Sequence, residues 1–374
     1  MKVGLITCWY KHQIYSNYSR ELRNHLLALG VDVKVIASEC GCGLSHQEKG
    51  KNLVEKPDYF LKTQYPVIGK NFSELRRKIS FKLALGYNFK RGVELNSVCP
   101  DCNVLHFQQV NDAFGAESLT TFLVRPSRTK KVVTVHELDP FQLHYRKVNR
   151  LYNKAHRVLV HSNYMKTQLM ALGVEEEKLQ IIPFGVNLPQ LNGHHRTKIV
   201  YYGGHHLLSG KGFQPFLNAI AHLRRWGYAF PVVVHGGFSI GDMIKGEKLA
   251  RGLGVESQFE WLGAVEGSRL HKIYQEGLLS VIPFTKGSGA FAATLSMANA
   301  TPVVATRAVE LPEYLGDAAV YVPVDDPLKL QKKMVELLSQ PDVRQELAGK
   351  LRQRAERIFA WPVVAKKTVE AYEN

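Results

Sequence analysis

The chain alternates apolar runs of strand length with amphipathic stretches of helical period almost to its last residues. Residues 3–7 form an apolar run, 20–29 follow a helical pattern that stops at Gly30, and 31–37 return to a β-branched run. Further strands are predicted at 104–107, 131–136, 157–161 and 179–184, with helical stretches between several of them. A polar segment, 186–197 (VNLPQLNGHHRT), breaks the rhythm and reads as a linker. The pattern then restarts, with strands at 198–202, 231–235, 258–262, 279–284, 302–306 and 319–322 and helices at 212–226, 243–253, 268–275 and 290–299. Strands apolar on both faces and separated by helices imply parallel sheets covered on both sides. The expectation is an α/β protein of two domains, 1–187 and 188–359. Open sheets of this kind bind ligands beyond the C-terminal ends of their strands, so a cleft between the two sets of strand ends is the expected site.

Composition sharpens this only in places. A length of 374 residues suits two domains, and 45% hydrophobic against 22% charged residues excludes a disordered chain. The start, MKVGLITCWY, has no cationic leader and no small-residue cleavage site, and no apolar run approaches the ~20 residues of a membrane span. A cytoplasmic protein is expected. Charge adds more: the net value is +16, mostly from residues before Gln190, which favours anionic partners. No nucleic-acid module accompanies that charge, so nucleic acid is not an expected partner. The stretch 70–91 (KNFSELRRKISFKLALGYNFKR) gathers Lys70, Arg76, Arg77, Lys78, Lys82, Lys90 and Arg91 against Glu74. Its apolar residues Phe72, Leu75, Ile79 and Leu83 fall near helical spacing. Two readings stand side by side, a peripheral contact with an anionic membrane surface and an ordinary amphipathic helix packed on the first domain. Five cysteines form no disulfide framework; Cys40 and Cys42 follow one strand while Cys99 and Cys102 precede another, at opposite sheet edges. Free thiols, not a zinc site, are expected.

The second half carries a resemblance. Lys211-Gly212-Phe213 opens a helix after Tyr201-Tyr202-Gly203-Gly204, followed by His235-Gly236-Gly237, 259–265 (FEWLGAV), 279–284 (LSVIPF), 301–306 (TPVVAT) and Leu311-Pro312-Glu313. The first half adds 133–137 (VTVHE), 158–162 (VLVHS) and 182–186 (IPFGV). In this order and spacing the segments resemble the retaining glycosyltransferases of family 4. The resemblance implies a GT-B fold of two Rossmann-like domains facing each other across a cleft. It also implies a final helix, about 360–374, crossing back to the first domain. A nucleoside-diphosphate sugar would bind the second domain and a glycan or lipid-linked acceptor the first, as in envelope polysaccharide synthesis.

Departure of a diphosphate builds negative charge, which protein cations, backbone dipoles or a metal can stabilise. There is no Asp-X-Asp in the chain, so metal-free chemistry with no cofactor is expected. Lys211, at a loop-to-helix junction, is the expected phosphate cation. The family usually has an arginine shortly before it, where this chain has Gly204, His205 and His206. Gly236, Gly237 and Val265 lie at other family positions of the donor side. In 286–291 (KGSGAF) the glycines Gly287 and Gly289 let backbone approach a ligand, and the amides of Gly289, Ala290 and Phe291 start a helix, forming an anion cradle. The family's two glutamates, eight positions apart, fall at Gly287 and Leu295; Ser288, Thr294 or Ser296 would have to compensate. That departure sustains an alternative, a GT-B-like nucleotide-sugar-binding or scaffold subunit without full catalysis. By resemblance His136 contacts the transferred sugar. For the loop 8–19, with Tyr15, Asn17 and Tyr18, two readings stand: an acceptor-binding site, or a loop merely packed against its neighbours.

Overall fold

The computed structural model describes residues 1–8, 14–38, 58–60, 93–95, 97–108, 129–136, 150–205 and 207–374. It divides the chain into two compact units, one of residues 1–182 with 365–374 and the other of 183–364. The helix Trp361–Glu373 therefore begins in the second unit and ends in the first.

The first unit is built on seven strands: β1 (Lys2–Cys8), β2 (Asp32–Ser38), β3 (Tyr59–Phe60), β4 (Val104–Gln108), β5 (Lys130–Val135), β6 (Arg157–Val160) and β7 (Leu179–Ile181). Their order is β3-β2-β1-β4-β5-β6-β7, parallel throughout. The reversal of strand order between β1 and β4 is the switch point of a doubly wound fold. Every residue of β4 is buried, as expected for a strand covered on both faces. Tight packing shows at Gly4, where an added Cβ would meet Leu105 Cδ2 at 2.7 Å and Cys99 Sγ at 3.2 Å. Cys99 and Cys102 are disulfide-bonded rather than free, with Cα atoms 5.4 Å apart. The turn that leads into β4 folds the two side chains into one buried spot, a local geometry the zinc-framework argument did not address.

The second unit repeats the plan with six strands: β8 (Lys198–Tyr202), β9 (Val232–His235), β10 (Phe259–Gly263), β11 (Gly277–Ile282), β12 (Val303–Thr306) and β13 (Val320–Val322). The order is β10-β9-β8-β11-β12-β13, again parallel, with the switch point between β8 and β11. The helix Phe213–Arg225 buries Phe213, Phe216, Leu217, Ile220 and Leu223, an i, i+3, i+4, i+7 stripe that lies against Ile199, Tyr201 and Val234 of the sheet. Residues 187–197 form neither helix nor strand.

The predicted strand 179–184 stops at Ile181, since Pro183 has no N–H to give a ladder. The first helix starts earlier than its periodicity implied, at Ile14, and the helix expected at 243–253 spans Ile240–Gly252. In the latter case the Ser239 side chain caps the helix by accepting from the Asp242 amide, an N-terminal signal stronger than the apolar pattern. No helix among the described residues is long and apolar enough to cross a membrane.

Candidate functional site

In the second unit the loops that leave β8 and β11 meet at the switch point. Gly210 O accepts from the amides of Thr285 (2.9 Å) and Lys286 (3.0 Å), tying one loop to the other. At Gly212, with φ +66°, a Cβ would lie 1.9 Å from Pro283 O, so glycine is required both for the left-handed backbone and for the contact. These constraints fix Lys211 between them. Its Nζ donates to Ser288 O at 2.9 Å and stands 4.1 Å above the Phe284 ring, while its carbonyl accepts from Tyr201 Oη at 2.8 Å. Gly287 and Gly204 border the same ammonium-bearing chain: a Cβ on either would lie 3.6 Å from Nζ or 3.0 Å from Cε respectively.

The helix Ala290–Ala298 begins here, with Gly289 as an N-cap that has no side chain to offer. Its first amides are satisfied from twenty residues away. Glu310 Oε1 accepts from Gly289 N (2.6 Å), Ala290 N (3.1 Å) and Ser288 Oγ (2.6 Å), and the residue is 2% exposed. A carboxylate at the positive end of a helix dipole, bonded by amides, is the arrangement proteins otherwise offer a phosphate. The cradle assigned to a diphosphate is thus filled from within the chain. Lys211 and Glu310 grip the same loop by opposite backbone poles, cation to carbonyl and anion to N–H. Val309, just before Glu310, holds φ +48°, a conformation that costs a β-branched residue about 1–3 kcal/mol. Leu311, just after it, lies 2.6 Å from where a Gly289 Cβ would be, which explains that glycine.

The other expected donor residues are placed as follows. His205 Nδ1 lies 3.1 Å from Gly237 O, so the exposed ring caps the loop after β9. Gly236, at φ +146°, brings that loop against the one after β8: a Cβ would meet Gly204 N at 2.7 Å. Val265 is half-buried in the loop after β10. Phe291 packs at 6.2 Å from the ring of Phe184 and 5.2 Å from that of Tyr202. The Thr294 hydroxyl is buried and donates back to Ala290 O (2.9 Å) and Phe291 O (3.1 Å), so it serves its own helix. Leu295 is buried in the core. His206 lies outside the described residues.

In the first unit His136 directly follows β5 and is 4% exposed. It belongs to a buried relay. His161 Nδ1 lies 2.9 Å from Ile182 O, which can only accept, so that nitrogen carries the proton. His161 Nε2 lies 2.8 Å from His136 Nδ1, and His136 Nε2 lies 2.9 Å from Gln108 Oε1. His106 continues the line, meeting Thr134 Oγ1 at 2.7 Å and Tyr372 Oη at 2.6 Å. Burial drives all three rings toward the neutral form, His106 to about 3 and His161 to about 4, with His136 pushed well down by burial and then by its two histidine neighbours. Tyr18 is buried, edge-on to His136 at 4.6 Å. It shapes the histidine pocket instead of presenting an open face to an acceptor. Asn17 is half-buried; the Tyr15 side chain, the stretch 70–91, Cys40, Cys42, Glu137 and Asp139 lie outside the described residues.

Two family models match this chain, Glycosyltransferase Family 4 over residues 16–190 and Glycosyl transferases group 1 over 196–340. The chain belongs to glycosyltransferase family 4. A curated relative of this family 4 chain is the MMP alpha-(1->4)-mannosyltransferase of Mycolicibacterium hassiacum, 28% identical over 212 residues. That match covers 55% of this chain and 51% of the relative, so the chain spans about half the length of the relative it matches. Among solved structures, a glycosyltransferase from Rickettsia africae has a TM-score of 0.73 at 15% identity, covering 100% of this chain and 97% of that one. Anabaena HepE in complex with UDP and glucose has a TM-score of 0.73 at 14% identity, covering 100% and 99%. With the two doubly wound sheets, these likenesses show the GT-B fold for the family 4 chain. Glu310 is the site residue that sequence reasoning missed. It stands directly before Leu311-Pro312-Glu313, but only the folded chain brings it to Gly289.

Proposed function

We propose that the chain is a retaining hexosyltransferase that moves a sugar from a nucleoside-diphosphate donor, without a metal, to a glycan or lipid-linked acceptor. The observation that carries this is Lys211. A lysine clamped between two tight loops at the β8/β11 switch point is a fixed positive charge where ligands of doubly wound sheets bind. It is suited to the phosphates of a donor and to the charge that grows as the diphosphate departs. Because Glu310 takes the amides of Gly289 and Ala290, this reading rests the diphosphate on the ammonium and leaves the cradle to the carboxylate. His136 enters through its Nε2, which would bond a sugar hydroxyl in place of Gln108 Oε1. Retention through front-face attack, in which the leaving phosphate accepts the acceptor's proton, follows the family likeness and needs no separate base. The net charge of +16 suits work beside anionic lipid, and the stretch 70–91 is the proposed contact.

Titration calorimetry with a panel of nucleoside diphosphates and their sugars tests the donor site. At least one should bind, and Lys211→Met should weaken it roughly 10- to 100-fold, the worth of a charge-assisted hydrogen bond of about 1.5–3 kcal/mol. Chelation of divalent metal should leave transfer unchanged. If the methionine variant binds as tightly as the parent, the site is misplaced. A second reading, a binding subunit without turnover, draws on Gly287 and Leu295 standing where the family has glutamates. Donor binding without hydrolysis or transfer across the whole panel selects it.

A further inference from the structure

Glu310 does more in this fold than close a helix. Its three hydrogen bonds all fall on one oxygen, Oε1. The other, Oε2, accepts no hydrogen bond and joins no ion pair among the described residues. It is not among their sealed, unpartnered atoms either, so it keeps an opening to the surface. An ionised oxygen held in a residue only 2% exposed is costly to leave without a donor, because burial removes most of its water. The preceding Val309 is held in a left-handed backbone, so the chain accepts strain at the point that delivers this carboxylate.

The surroundings decide which donor fits. Oε2 belongs to a carboxylate whose partners, Ser288 to Ala290, form the loop that also receives Lys211. A phosphate is drawn to the ammonium and repelled by the carboxylate. What lies against Glu310 must therefore be an uncharged hydrogen-bond donor attached to an anionic neighbour, which describes the hydroxyls of a nucleotide sugar. Resting on the donor-site reading above, we propose that Glu310 is a specificity-determining residue whose Oε2 accepts a hydroxyl of the bound nucleotide sugar. Oε1 meanwhile holds the loop in place. The side chain has two jobs, one per oxygen.

The division of labour makes it testable with Glu310→Gln. Glutamine keeps an oxygen for Ser288, Gly289 and Ala290 and puts an NH2 where Oε2 was. Binding of inorganic pyrophosphate, a nucleoside diphosphate and the matching nucleotide sugar is measured on parent and variant, with a thermal melt to establish that both fold. The expected result is unchanged pyrophosphate binding and a loss of tenfold or more for the nucleotide sugar. An equal loss for the nucleoside diphosphate places the hydroxyl on the ribose; no loss there places it on the transferred ring. Equal affinity of both proteins for all three ligands overturns the proposal, as does a matching loss for pyrophosphate, which would make Glu310 only a support for the loop. A parent chain that binds pyrophosphate but no nucleotide overturns it too, and a parent that binds none of the three sinks the donor-site reading itself. Should the glutamine variant unfold, Glu310→Asp on the same three ligands applies the same criteria.

Discussion

Gly212 leaves no room for a side chain, since even a methyl group would sit 1.9 Å from Pro283 O. Gly212→Ala should therefore cost several kcal/mol, from the clash together with the φ of +66°, and should lower the thermal midpoint by well over 5 °C. A melt within a degree or two of the parent would show that the two loops do not meet as described. The neighbouring Lys211 was legible in the sequence because a lysine-glycine pair at a helix start is a local signal. Glu310 was not, because its partners are twenty residues away and a carboxylate two residues before a proline reads as surface. Thr294 shows the opposite failure. Its position near the loop made it a candidate, but a threonine inside a helix commonly bonds the carbonyl a turn behind, and here it does.

The last helix illustrates what an element adds to its residues. The apolar positions Val363, Val364, Val369 and Tyr372 form a stripe along its sequence, and Val364 and Tyr372 are buried. The stripe did not disclose that Tyr372 Oη would meet His106 at 2.6 Å, or that Lys130 Nζ would donate to Tyr372 O at 2.9 Å. Tyr372→Phe removes one hydrogen bond from a fully buried imidazole and should cost about 1–3 kcal/mol, seen as a lower urea midpoint with an unchanged slope. An unaltered midpoint would mean that water or another group already serves His106. The relay from Tyr372 through His106 to Gln108, His136 and His161 joins this helix to β4, β5 and β6 by side chains alone, a connection that period and propensity do not encode.

Across the described residues, four buried histidines, His106, His136, His161 and His235, are driven toward the neutral form and set a pH dependence. Folded, they bind protons only well below the 6.5 of an exposed ring, so the unfolded chain binds more protons at mildly acid pH. Their stabilising contribution is complete above about pH 6.5 and drains away as pH falls toward 4 and then 3, by up to about 1.4 kcal/mol per pH unit for each ring. Urea midpoints taken at pH 7.5, 6 and 5 should fall in that order; a flat series would show the rings to be charged or wet in the native state. Most of the fold could be read in advance, since strands such as β4, β5, β8 and β9 are apolar on both faces and announce parallel sheets. The two-residue β3 and the polar helix Pro341–Arg354 carried too little pattern to announce themselves. The chain crosses between its units twice, once after Ile182 and once after Val364. During synthesis the ribosome must therefore finish the entire second unit before it supplies residues 365–374. The half that is made first is completed last, and a nascent chain paused at residue 364 would still lack the Tyr372 hydroxyl that meets His106.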